Sequence, residues 1–171
     1  MTIRSLAPFV PSPHEIVRKM LELAAVGSTD TVFDLGCGDG RILIAAVNDF
    51  GAKKAVGYEM REDLYKQAMQ EIKKQGLETK ISIVNNDVFT GNFSAATVIT
   101  LYLTTSGNGK LKPKLADEAN LGVRIVSHDF EITGWYPSRK ENFYGHTIYL
   151  YTIPDAKTIQ AEKRSIFKRL F

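Results

Sequence analysis

Gly36, Gly38 and Gly40 stand at alternate positions in "DLGCGDGR" (residues 34–41), between two apolar runs and behind Asp34. Glycines so spaced bend the chain sharply and let backbone N–H groups approach a ligand closely. A phosphate loop needs Lys-Ser/Thr after its last glycine, and Arg41-Ile42 stand there instead. A dinucleotide turn is G-x-G-x-x-G, which leaves room for a pyrophosphate at a helix N-terminus. The G-x-G-x-G spacing is one residue tighter and contains Asp39, whose carboxylate would repel a pyrophosphate and could face an ammonium. S-adenosylmethionine (AdoMet) carries an ammonium and no phosphate. Asp34, Gly36, Cys37 and Gly38 are therefore candidate residues of an AdoMet cradle.

Two further positions fit the same ligand. "KAVGYE" ends in Glu59, and an acidic side chain there can accept hydrogen bonds from both hydroxyls of a ribose. "KISIVNND" ends in Asp87, which with Val88 could accept from an adenine amine and cover the ring. Taken singly, Glu59 reads equally as a solvated strand end and Asp87 as a turn former. Their order, each at the C-terminal end of a strand, favours the ligand.

The elements that must hold these residues are legible from periodicity. "FVPSPHEIVRKMLELAAVG" reads as a helix over 13–26, with Ser12 as N-cap, Glu15 completing a capping box and Gly27 ending it. Ile16, Val17, Met20, Leu21 and Ala24 form its apolar face. "TVFDL" is a buried strand, followed by a helix from about 39 to 49. "KAVGYE" is a strand, and "REDLYKQAMQEIKKQG" a helix with Leu64, Ala68 and Ile72 inward. "KISIVNND" and "AATVITLYL" are strands three and four. A loop with two glycines leads to a helix in "KLKPKLADEA", and "VRIVSHDFEI" is strand five. After it come a turn-rich piece and an alternating strand at 146–153. The expected fold is α/β and Rossmann-like: a mostly parallel seven-stranded sheet, closed by a C-terminal antiparallel hairpin, with helices on both faces.

The 171 residues suffice for one domain with a sizeable core, expected over 1–154. Residues 155–171 read as a basic amphipathic tail. Lys157, Lys163, Arg164, Lys168 and Arg169 stand against Glu162 there, so from 157 onward the balance is +4 and the body is left near neutrality. Such a tail could dock on its own domain, a sister subunit, nucleic acid or a membrane surface. One cysteine excludes an intrachain disulfide framework and suits a cytoplasmic location. Nothing in the sequence is long and apolar enough for a signal peptide or a transmembrane segment. The three histidines, at 14, 128 and 146, are too scattered in sequence to suggest a metal site.

"DLGCGDGR", Glu59 and Asp87 resemble the class I methyltransferases. "FVPSP", "VITLYL", "LKPKL" and "VRIVSHDFEITGW" followed by "HTIYLY" are similar to the small archaeal protein lysine methyltransferases, distant relatives of the non-SET histone lysine methyltransferases. The resemblance covers roughly residues 8–153. It implies a monomeric or weakly associating enzyme of broad specificity for lysines on protein surfaces. By position it implies that Gly36, Gly38 and Gly40 shape the methionine pocket, Glu59 holds the ribose, and Asp87 and Val88 meet the adenine. Pro11, Ser12 and Pro13 would close over the cofactor, and Leu101, Tyr102 and Leu103 would line the path to the methyl group. Relatives tend to carry Tyr and Thr where this chain has Phe9 and Ser12.

Methyl transfer from a sulfonium is an in-line displacement that needs alignment more than acid–base machinery. A lysine nucleophile must first lose a proton: at a pKa of ~10.4, roughly 1 in 2,500 is neutral at pH 7, a cost of about 4.6 kcal/mol. An apolar channel lowers that pKa by desolvating the ammonium. Tyr102 and Leu103 are candidates for its wall, and no residue stands out as a general base. His128 could support the pocket floor, and Trp135 and Tyr136 could rim a channel or pack in the hairpin. A base-methylating enzyme is expected to carry Asn/Asp-Pro-Pro-aromatic at the end of strand four, where "TLYL" stands. An RNA or small-molecule methyltransferase and a non-catalytic AdoMet-binding subunit are the alternatives.

Overall fold

Val32, Phe33, Asp34 and Leu35 are all buried, although successive side chains of a strand point to opposite faces. A strand buried on both sides belongs at the centre of a sheet. The computed structural model, which describes residues 8–154, puts it there. The elements run α1 (His14–Leu23), β1 (Thr31–Leu35), α2 (Arg41–Asn48), β2 (Lys54–Tyr58), α3 (Glu62–Lys74), β3 (Ile81–Val84), a 3-10 turn (Val88–Thr90), β4 (Val98–Leu101), α4 (Thr105–Glu118), β5 (Arg124–His128), β6 (Arg139–Phe143) and β7 (His146–Thr152). Spatial order in the sheet is β3-β2-β1-β4-β5-β7-β6. Strands β1 to β5 pair in parallel, and β7 runs antiparallel to both β5 and β6. The chain winds outward from β1 to β3, then returns to place β4 on the other side of β1. That reversal opens a crevice at the carboxyl ends of β1 and β4, where such sheets bind ligands.

Two apolar clusters cover the sheet. One gathers Ile16, Met20 and Leu21 of α1, Leu43 and Val47 of α2 and Ile72 of α3. The other gathers Leu111 and Leu115 of α4 with Phe93, Ile99, Ile125 and Tyr151. Helices on both faces and the closing hairpin agree with the sequence pattern.

Element ends differ from expectation for local reasons. Helix α1 is shorter than 13–26, and its N-cap position is Pro13, with no side-chain cap. Ser12 does not cap because its hydroxyl is bonded elsewhere, to His128. The left-handed residue that ends α1 is Ala25 (φ 50°), not Gly27: Ala25 N–H donates to Glu22 O and Val26 N–H to Leu21 O. Helix α4 starts at Thr105, inside the stretch expected to be a loop. Thr104 Oγ1 accepts from Gly107 N–H, and buried Asn108 donates to Phe130 O, Glu131 O and Ser127 Oγ. These bonds outweigh the poor helix propensity of Gly107 and Gly109.

Gly57 of β2 has an ordinary strand conformation, so space alone dictates glycine there. A Cβ would lie 2.6 Å from Cys37 Sγ and 2.7 Å from Leu43 Cδ1. Gly57→Ala is expected to destabilise the fold by about 1–3 kcal/mol through overpacking. Urea denaturation measures this, and an unchanged midpoint would mean that the turn is not packed as described.

Candidate functional site

The crevice at the switch point is a cleft of about 810 Å³, solvent at its mouth included. Its lining comes from the ends of four parallel strands and from the segment that precedes α1. Gly36 (φ 88°) and Gly38 (φ 53°) hold the left-handed turn after β1. Gly36 N–H and Cys37 N–H both donate to Tyr58 O at 2.9 Å, which fixes the turn against β2.

Glu59 organises the floor. Its Oε2 accepts from Gly38 N–H at 2.9 Å and its Oε1 from Arg61 N–H at 2.8 Å. Asp34 is buried at the end of β1 and accepts from Thr100 Oγ1 at 2.7 Å. Burial pushes its carboxyl up to about 7; Thr100 pulls against this, and Glu59 and Asp39 add to it. Asp39 does not present a free carboxylate to a ligand. Arg41 clasps it with Nε (3.0 Å to Oδ1) and Nη2 (2.6 Å to Oδ2). With Asp39 engaged, Asp34 and Glu59 are the carboxylates left to the cleft. The buried Cys37 thiol is pushed well up by burial and by Asp34, which leaves it unsuited to nucleophilic chemistry.

Of the residues anticipated from sequence, Pro11, Ser12, Asp34, Gly36, Cys37, Gly38, Glu59, Val88, Tyr102 and Leu103 all line this cleft. Pro13, Asp87 and Leu101 do not. Leu101 is wholly buried in the core, and Asp87 Oδ1 accepts from Phe89 N–H, capping the 3-10 turn. Asn86, its neighbour, faces the cleft instead. Phe9 lies over the glycine turn: a Cβ on Gly38 would fall 2.5 Å from its ring. Residues 8–12 thus form a strap across the site, and Arg41 Nη1 holds it by donating to Ser12 O at 3.0 Å. Arg41, Met60 and Leu64 also line the cleft. Sequence reading passed over them because neither their type nor their spacing marks a ligand.

At the β4 end the Tyr102 ring stacks on His128, centroids 3.8 Å apart and planes at 29°. The two histidines that sequence separates are brought together by the antiparallel pairing of β5 with β7. His128 Nε2 lies 2.9 Å from His146 Nδ1, which lies 2.8 Å from Asp129 Oδ2. Those two separations are hydrogen bonds, shorter than the roughly 3.3 Å edge of a tetrahedron around zinc at ~2.0–2.1 Å. Burial pushes His128 down to about 4, Asp129 partly offsetting this and His146 adding to it. Burial also raises Asp129, but the bonds from His146 and Thr147 N–H outweigh it and leave that carboxyl low. Trp135 is buried beside Tyr151 in the core and does not line this cleft.

A methyltransferase family model, the ANTKMT methyltransferase domain, matches residues 34–139, from the glycine turn to the start of β6. The chain belongs to this family. It is 47% identical to a protein-lysine N-methyltransferase of Saccharolobus islandicus, over 88% of this chain and 96% of that one. It is 29% identical to the mouse adenine nucleotide translocase lysine N-methyltransferase over 79% of its own length, and spans 58% of that longer protein. Among solved structures, a Salinibacter ruber protein described as an RNA methyltransferase in complex with S-adenosyl-L-homocysteine aligns with TM-score 0.83. The two are 44% identical, over 85% of this chain and 95% of that one. With the strand order, these likenesses make the fold that of a class I methyltransferase.

Proposed function

We propose that this methyltransferase transfers a methyl group from AdoMet to lysine side chains exposed on protein surfaces, with broad specificity. The near full-length likeness to the S. islandicus lysine methyltransferase carries the reading, and the site supports it. The cleft residues fit AdoMet: Glu59 retains unused lone pairs on both oxygens for ribose hydroxyls, and Asp34 is an acid facing the cleft that an ammonium would ionise. The turn at Gly36 and Gly38 leaves no room for side chains. Pro11, Ser12 and Pro13 would hold the strap over the cofactor, Val88, with Asn86 or Asp87, would meet the adenine, and Leu101 would support the methyl end. AdoMet supplies an electrophilic methyl on a sulfonium.

The chain's own part is to prepare the nucleophile. Tyr102 and Leu103 would form the wall along which the lysine stem enters, stripping water from the ammonium and so lowering the cost of its deprotonation. Burial and Asp129 raise the Tyr102 phenol, so it stays neutral and presents a ring face to the cation. Nothing in this chemistry requires a metal.

The S. ruber neighbour favours a second reading, methylation of RNA. Against it, Thr100-Leu101-Tyr102-Leu103 offers no amide and no prolines with which to grip a flipped base. Incubation with labelled AdoMet, a mixed protein pool and total RNA, followed by peptide and nucleoside mass spectrometry, separates the two. Label on lysine is the expected result; label on RNA and on no lysine sinks the proposal.

We further take residues 1–154 as the catalytic domain of a cytoplasmic monomer, and 155–171 as a basic appendage that contacts self, nucleic acid or another partner. The appendage lies outside the described residues. Among the described residues no helix is long and apolar enough to cross a membrane.

A further inference from the structure

Ser12 is held twice. Its carbonyl accepts from Arg41, and its hydroxyl is bonded to His128 Nδ1 at 2.8 Å, an interaction 116 residues long in sequence and fully buried. His128 is itself completely inaccessible. Its other ring nitrogen meets His146 Nδ1 at 2.9 Å and lies 3.3 Å from Asp129 Oδ2. Its face carries the Tyr102 ring. One imidazole therefore touches the strap that crosses the cofactor cleft, the wall at the cleft's far end, and strand β7.

We propose that His128 is a positioning residue that couples closure of the strap over the cofactor to alignment of Tyr102 as the wall of the lysine channel. The assignment rests on the reading of the cleft as an AdoMet site and of Tyr102 as that wall.

A partner at each nitrogen, Ser12 Oγ at Nδ1 and at Nε2 the His146 Nδ1 that also meets Asp129 Oδ2, restricts the rotation of the imidazole about its Cβ–Cγ bond. The direction of the ring face is then fixed too, and Tyr102 can lie parallel to it in one orientation only. If the strap lifts, Nδ1 loses its buried partner, the ring is free to turn, and Tyr102 loses its support. In the other direction, a lysine chain that presses Tyr102 onto His128 holds Nδ1 towards Ser12 and keeps the strap down. Burial also keeps the ring neutral near pH 7, so no positive charge stands behind Tyr102 to repel the incoming ammonium.

Two substitutions divide the roles of the ring. His128→Asn retains an acceptor or donor for Ser12 but has no face for Tyr102. His128→Phe retains the face but leaves Ser12 unpaired. With H128N, S-adenosylhomocysteine affinity is expected to stay within about twofold while KM for a lysine peptide rises several-fold. With H128F, affinity for S-adenosylhomocysteine should fall roughly 3- to 10-fold, the worth of one buried hydrogen bond, with a smaller change in peptide KM. Ser12→Ala removes a single buried oxygen outside the two apolar clusters and supplies a check should either variant fail to fold: its cofactor loss should match that of H128F, its peptide KM should rise as the freed ring ceases to support Tyr102, and the double variant should lose no more cofactor affinity than either alone. Additive losses in S12A/H128F, a peptide KM unchanged in S12A, or the same kinetic pattern for H128N and H128F, would overturn the coupling. The cofactor arm is read by calorimetry without any acceptor, so failure of the lysine reading would leave it standing and would show only as the absence of peptide methylation by the unmodified enzyme.

Discussion

Replacing Glu59 with alanine is expected to weaken AdoMet binding roughly 10- to 150-fold, the equivalent of ~1.5–3 kcal/mol for hydrogen bonds to a charged group. The structure shows why the loss should lie at the upper end. Each carboxylate oxygen is engaged by one backbone amide, Gly38 N–H on Oε2 and Arg61 N–H on Oε1. Each oxygen still has a second lone pair for a ribose hydroxyl. Alanine removes the ribose acceptors and also strands the buried Gly38 N–H, so the turn that shapes the methionine pocket loses its anchor. Glu59→Gln tests the second effect separately. Its amide keeps the shape, but its NH2 must face either Gly38 N–H or Arg61 N–H, donor against donor. Glutamine is therefore expected to cost nearly as much as alanine. Titration calorimetry with S-adenosylhomocysteine is the measurement, alongside denaturation to report the stability cost. Unchanged affinity in E59A would remove Glu59 from the site.

The central sheet was legible because its strands are short apolar runs punctuated by turn residues, and because alternation with helices admits few topologies. The cofactor end of the site was legible for a related reason. Parallel strands deliver their C-terminal residues to one edge, so Asp34, Glu59 and Val88 meet although they are 25 and 29 residues apart in turn. The charge logic was legible only in part. Asp39 sits at the expected place in the turn, yet Arg41, two residues on, neutralises it, and no spacing rule says which way a guanidinium will fold. The fate of Ser12 was illegible for a different reason. Ser-x-x-Glu before an apolar helix is a good capping signal, but the competing partner, His128, is remote in sequence and arrives only when β5 is in the sheet. The same holds for His128 with His146, joined by a hairpin register that periodicity cannot supply. At Ser12, His128 and Asn108, tertiary pairing overrode the local signal.

Asp34 carries the second large expectation, and its sign is opposite to that of an ordinary carboxylate. Its folded pKa is pushed up from the ordinary carboxylate range to about 7, burial being the first cause. A raised acid binds a proton on folding. Below pH ~4 it is protonated in both states and costs nothing; as pH rises towards 7 the unfolded chain ionises freely while the folded one resists. Stability from this group is therefore lost between about pH 4 and 7, and the penalty is complete above that. Three units correspond to an upper bound of about 4 kcal/mol. Asp34→Asn keeps the acceptor for Thr100 Oγ1 and removes the charge, so the cofactor-free variant should be more stable than the native protein at pH 8 and nearly equal to it at pH 4. Binding should move the other way. The ammonium of AdoMet needs an ionised partner, so native affinity should climb with pH up to about 7 and then level, whereas D34N should bind weakly and without that slope. Urea denaturation at the two pH values and calorimetry across the range test both halves. A D34N protein destabilised equally at pH 4 and pH 8 would mean that the carboxylate is not held against its charge. The function of Asp34 would then have to be sought in packing alone. If both halves hold, the protein keeps in its cleft an acid whose cost in stability is relieved when a cation binds, and that cost favours a ligand with an ammonium over a neutral or anionic nucleoside.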